Sequence, residues 1–119
     1  MGLDMEATDG LMVRAPVTGV IVREAHPYGD GSSCDHGCWI SGRGDWQGYE
    51  IGLFYMRIAD GLLRSMVQAG DIIGIALSLQ DRYPGITNHV HLAVRRAGQY
   101  LDPAPYLFHD QTPPDHSQA

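Results

Sequence analysis

The feature that most constrains this chain is its punctuation. Fifteen glycines and seven prolines are spread through 119 residues, so the apolar segments between them are short. β-Rich runs at regular spacing, each closed by Gly, Pro, Asn or Asp, describe an all-β domain rather than a helical one. Leu11–Arg14, Val20–Glu24 and Cys38–Ser41 read as strands, Tyr49–Ile58 as one long strand, Ile72–Leu79 as a buried strand and His89–Val94 as the last clear one. The stretch from Asp60 to Ala69 is ambiguous, because Leu62-Leu63 and Met66-Val67 also suit a helical face. Residues 109–119 offer nothing to pack and are expected to be a disordered tail, leaving one domain over residues 1–108.

Charge excludes one class of partner. Eight basic residues, all arginine, stand against fourteen acidic ones, and apart from Arg95-Arg96 the arginines are scattered. No basic stripe is available to follow a phosphate backbone, so nucleic acid is not an expected partner. No apolar run approaches the ~20 residues of a membrane span. The start, Met1-Gly2-Leu3-Asp4-Met5-Glu6, lacks the basic and apolar regions of a signal peptide. Cys34 and Cys38 leave three readings open: a short disulfide, free thiols, or part of a metal ligand set. Trp39, Trp46 and Tyr49 either line a groove or pack the sheet.

His89 and His91 carry the most chemistry. Side chains two apart on a strand share a face, roughly 6.6 Å apart along the chain. Two imidazoles side by side suit a metal site, though an isolated pair is also compatible with a solvated face. Context favours the first reading. Gly2-Leu3-Asp4, Ala15-Pro16-Val17-Thr18-Gly19-Val20, Gly70-Asp71-Ile72-Ile73-Gly74, Asn88-His89-Val90-His91-Leu92 and Leu101-Asp102-Pro103-Ala104-Pro105-Tyr106-Leu107 follow one another in order.

This succession resembles the M23 (lysostaphin-like) zinc peptidase domain over nearly everything from Gly2 to Leu107. Its leukocyte cell-derived chemotaxin branch further matches Ile40–Gly44, Phe54-Tyr55 and the run from Leu79 to His91. The resemblance implies an antiparallel β domain of the duplicated-hybrid-motif type and a zinc cofactor. It makes Asp4 and His91 ligands and His89 the catalytic-side histidine. It implies peptide or peptidoglycan, or a protein, as partner, an extracellular or periplasmic setting, and a monomer. Zinc held by three N/O ligands keeps a fourth position for water, which it acidifies.

Two departures bear on activity. The family's leading histidine would fall one position before Met1, so a start that has been cut short is expected. Its second catalytic histidine corresponds to Tyr55, and a phenol, deprotonating only near pH ~10, is a poor base. The resemblance therefore implies a zinc-binding domain that is weak or inactive as a hydrolase, with an active cross-bridge endopeptidase as the alternative. His26 and Asp30 repeat the H-x-x-x-D spacing, but they follow the Ala15-Pro16 strand and read as a polar loop. Arg43-Gly44-Asp45 reads as a hairpin tip and Arg95-Arg96 as a solvated strand end.

Overall fold

The computed structural model describes residues 2–102, and the Pro103–Leu107 motif and the expected tail lie outside them. Among the described residues ten strands and a single 3₁₀ turn make two antiparallel sheets. The larger orders β1 (Leu3–Glu6), β9 (His89–Arg96), β5 (Tyr49–Phe54), β4 (Gly37–Gly42), β3 (Gly19–Ala25) and β7 (Met66–Val67). β10 (Gln99–Leu101) also pairs with β9, beyond the end of β1, so the two short strands share one side of it. The smaller sheet orders β2 (Met12–Arg14), β8 (Ile72–Ala76) and β6 (Met56–Ile58).

Period-two alternation builds the core. Leu101, Val94, Ile51, Ile40 and Ile21 lie in one cross-strand row, and Leu3, Leu92, Leu53 and Cys38 in the next. The smaller sheet adds Val13, Met56, Ile73 and Ala76 to the same buried cluster. Trp46 and Tyr49 pack in it too, ring to ring at 5.4 Å, which settles their reading as core. Trp39 points to the opposite, open face with Ala25 and Ala93.

Two expectations are corrected and one ambiguity is resolved. The long strand from Tyr49 to Ile58 breaks at Tyr55, whose φ of 69° sends the chain from the larger sheet to the smaller. The Ile72 strand ends at Ala76, and Ile72 and Ile75 are exposed rather than buried. Asp60–Ala69 forms turns and the two-residue β7. The hairpin β9–β10 was not anticipated; Ala97 (φ 50°) and Gly98 (φ 79°) turn it, the two positive φ values that a tight two-residue hairpin loop requires.

The open face has one tight point. A Cβ built on Gly52 would lie 2.9 Å from the Trp39 ring, so that ring lies directly on the β5 backbone. Gly52→Val is expected to destabilise the domain by about 1–3 kcal/mol through overpacking. Urea unfolding followed by tryptophan fluorescence measures this, together with a changed native Trp39 signal.

Candidate functional site

Strand β9 presents Val90, Leu92 and Val94 to the core, which leaves His89, His91, Ala93 and Arg95 on the open face. Register supplies their neighbours. Asp4 on β1 lies opposite His91 on one side, and Phe54 on β5 opposite it on the other. Asp4 Oδ1 is 2.6 Å from His91 Nδ1 and 3.6 Å from His89 Nε2. The Phe54 ring stacks on His91 at 5.7 Å, with 8° between the planes. Gly2 approaches His91 Nε2 so closely that a Cβ there would collide with the imidazole.

Hydrogen bonds set the histidine tautomers. His89 Nδ1 faces the Thr87 carbonyl at 2.9 Å; a carbonyl only accepts, so this nitrogen carries a proton. In His91 the Nδ1 proton is donated to Asp4. The structure thus brings Asp4, His89 and His91 together, with Tyr55, the fourth residue named from the sequence, beside them. That ring stands edge-on to His89 at 5.5 Å and tilted against His91 at 6.4 Å. Its N–H is bonded by the His36 carbonyl and its own carbonyl accepts from Leu77, which hold the residue in its left-handed conformation.

One carboxylate and two imidazoles are the donor types zinc takes. Their spacing is that of a hydrogen bond: ligands sharing a tetrahedral zinc stand roughly 3.3 Å apart, so the Asp4–His91 contact must open to admit an ion. Among the described residues no group of three His, Cys, Asp or Glu is arranged to hold a metal. The donor chemistry fits zinc, and the number of donors in place falls short of the usual three.

Sequence reasoning missed the wall behind Tyr55. The Tyr28 hydroxyl donates to Tyr55 Oη at 3.1 Å, and the two rings stack at 5.8 Å. Tyr83 packs edge-on to Tyr28 at 6.2 Å. The Arg82 guanidinium lies 3.6 Å from the Tyr28 ring centroid, donates to Tyr83 Oη at 3.2 Å and pairs with Asp30. Burial and the hydrogen bonds to Tyr55 and Tyr83 hold the Tyr28 phenol well above its ordinary pKa. Only the family-like run Tyr83-Pro84-Gly85-Ile86 pointed toward part of this wall. Asp30 is therefore a partner of Arg82, and His26 bonds the Asp35 carbonyl instead, in keeping with a polar loop.

At the other end of the open face Arg95 is not a solvated strand end. Glu50 accepts from Arg23 at 3.0 and 3.2 Å and from Arg95, and both guanidinium groups lie over Trp39, at 5.4 and 4.3 Å. Arg43-Gly44-Asp45 sits on the exposed turn between β4 and β5. Cys34 and Cys38 are both buried free thiols, and burial pushes Cys38 up to about 12.

No family model matches the sequence. Mouse leukocyte cell-derived chemotaxin-2 is 35% identical over 91 residues, covering 76% of this chain and 56% of the mouse protein. The chain thus spans little more than half the length of that relative. Among solved structures, the catalytic domain of the antimicrobial peptidase lysostaphin from Staphylococcus simulans superposes with a TM-score of 0.69 at 20% identity. That match covers 89% of this chain and 77% of the other. The catalytic domain of the prophage-encoded M23 protein EnpA from Enterococcus faecalis gives 0.65 at 21% identity, covering 88% and 76%. The chain has the fold of the M23 peptidase domains and is similar in sequence to leukocyte cell-derived chemotaxin-2. The fold expected from the sequence, an antiparallel β domain of M23 type, is the one observed.

The charge cluster around Glu50 makes a pH prediction. Its two arginines, Arg23 first, hold the Glu50 carboxyl at about 2, below the usual glutamate value, against the upward push of burial. A depressed carboxylate pKa contributes stability that is present above the unfolded value and lost as pH falls through the folded one. With solvent screening allowed for, Glu50→Gln is expected to cost about 1–2 kcal/mol at pH 7. Urea unfolding at several pH values should show wild type and variant converging between about pH 4.5 and 2.

Proposed function

We propose that the domain binds zinc and an extended peptide on its open sheet face and is weak or inactive as a hydrolase. Tyr55 carries this reading: it stands against both histidines, where the family resemblance calls for a third. A neutral phenol donates a hydrogen bond to a ligand and does not take up a proton from water as imidazole does. In this reading Asp4 and His91 would hold zinc, with the His89 imidazole beside them. Zinc, when bound, supplies a Lewis acid that polarises a carbonyl oxygen.

The sheet face favours an extended chain. Beyond the histidines it continues to Trp39, which lies buried beneath the Arg23 and Arg95 guanidinium groups, so a bound peptide would meet the charged cluster around Glu50. Kinship with the chemotaxins favours an extracellular setting, and the proposed partner is a peptide, peptidoglycan stem or protein segment. No helix among the described residues is long and apolar enough to cross a membrane. The second reading, an active endopeptidase of bacterial cross-bridges, is favoured by the intact Asp4, His89 and His91 set on a lysostaphin-like fold.

Elemental analysis after loading with zinc and dialysis against metal-free buffer is expected to give close to one zinc per chain. Asp4→Ala and His91→Ala should each lower zinc affinity more than tenfold. Metal-free wild-type protein under those conditions would overturn the zinc reading. On purified cross-linked peptidoglycan the zinc-loaded wild type should release little peptide, whereas Tyr55→His should raise the rate. Robust cleavage with Tyr55 intact would establish the endopeptidase instead.

A further inference from the structure

One carboxylate beside the histidines has no task in the site described above. Alternation along β1 puts Glu6 on the face that carries Asp4, and register sets it opposite His89 as Asp4 is set opposite His91. Asp4 is engaged by the two imidazoles. Glu6 is exposed, and among the described residues its carboxylate has no hydrogen bond and no ion pair.

Glu6 borders a cavity of about 410 Å³ at the end of β9 where the histidines lie. Thr8 and Leu11 line it from the chain that follows β1, and Ile86, Thr87 and Asn88 from the chain that leads into His89. That second wall is tied to β1 and to itself. The Asn88 carbonyl accepts from the Ala7 N–H at 3.1 Å, and Asn88 Oδ1 accepts from the Leu79 N–H at 3.0 Å and from Gln80 Nε2 at 2.9 Å. Gln80 Nε2 also donates to the Ile86 carbonyl at 2.7 Å, so the amide hydrogens of Gln80 are spent inside the wall.

The polar groups that remain suit a cation. The Thr8 and Thr87 hydroxyls, like Glu6, have no partner among the described residues, and no basic residue lines the cavity. An entering group meets one carboxylate and two hydroxyl oxygens, which an ammonium, with three donors and no acceptor, can satisfy. The same cavity has apolar surface to cover, since Leu11 is 49% and Ile86 40% exposed. A methylene stem lies on such surface while its charged head stays in water. An ammonium on a methylene stem is the lysine side chain.

We propose that this cavity is a subsite for a lysine side chain of a bound peptide, with Glu6 taking the ammonium and Leu11 and Ile86 covering the stem. The inference rests on the reading of the open face as a peptide site, and it gives that site a preference for basic peptides. Zinc plays no part in it.

Isothermal titration of the full chain with three peptides tests the subsite. The first is acetyl-Gly-Gly-Lys-Gly-Gly-amide. The second carries norleucine in place of lysine, which keeps the stem and lacks the ammonium. The third is the norleucine peptide with a free N-terminus, whose α-amine has the charge without the stem. The lysine peptide is expected to bind about three- to fivefold more tightly than the capped norleucine peptide. That ratio should fall close to one in Glu6→Gln, and it should shrink when salt is raised from about 20 mM to about 500 mM. Saturable but equal binding of the lysine and capped norleucine peptides overturns the subsite and leaves the peptide reading standing. A lysine preference that survives in Glu6→Gln also overturns it, because the net charge of −6 would then account for the attraction. An equal gain from the free N-terminus overturns the lysine assignment in favour of a terminal amine. Absence of saturable binding by all three peptides overturns the peptide reading, and the subsite with it.

Discussion

Everything in the molecule depends on strand β9 being held in one register from both sides. Its inward residues, Val90, Leu92 and Val94, are at most 3% exposed and complete the core between the sheets. Because side chains alternate, burying those three obliges His89, His91, Ala93 and Arg95 to share the open face. A slip of one residue would bury two histidines and an arginine and expose three aliphatic chains, so the hydrophobic pattern that stabilises the sheet also forbids any other arrangement of the site. β1 and β5 complete the constraint by setting Asp4 and Phe54 on either side of His91.

The second constraint is the passage between sheets. β5 and β6 are contiguous in sequence except for Tyr55, yet they belong to different sheets. A single residue must redirect the chain, and it does so at φ 69°, a region that a bulky side chain occupies only at a cost of order 1–3 kcal/mol. Glycine would be the usual solution. An aromatic residue at this corner places a side chain where the corner faces the histidines, and the surrounding backbone bonds keep it there. Strain at this position and proximity to the site are the same structural fact seen from two sides.

Much of this was legible in the sequence, for identifiable reasons. β3, β4 and β9 announce themselves by alternation between glycine-bearing turns, and the H-x-H spacing fixes a shared face without any knowledge of the partners. The break at Tyr55 was not legible, since Tyr49–Ile58 is an almost unbroken apolar run and nothing local distinguishes a corner from a strand. Exposure of Ile72 and Ile75 escaped for a related reason: an apolar strand on a small outer sheet reads like a buried one. The aromatic wall was hidden because its members are far apart in sequence. Tyr28 meets Tyr55 and Tyr83 only through the packing of two loops, and the Glu50 cluster joins β3, β5 and β9 in the same way. Non-local pairs of this kind leave no periodic trace.

The loop that carries Tyr28 shows how such precision is reached without a cross-link. Cys34 within it and Cys38 in the adjoining β4 are not bridged to each other, and a buried carboxylate does the holding instead. Asp35, 3% exposed, accepts from the backbone N–H groups of Tyr28, Gly29, Asp30 and Gly31 at 2.8–3.1 Å. Burial alone would push its carboxyl upward, but the four donors outweigh it and keep the group ionised below the usual aspartate range. Four consecutive amides converging on one anion fix the loop's backbone from its first turn, starting at the residue whose hydroxyl reaches Tyr55. The position of the Tyr28 oxygen is thus set by an interaction made at its own N–H. The hydrogen bond to Tyr55 therefore joins a loop held by Asp35 to a corner that the same loop helps to hold, since the Tyr55 N–H donates to the His36 carbonyl at the loop's end.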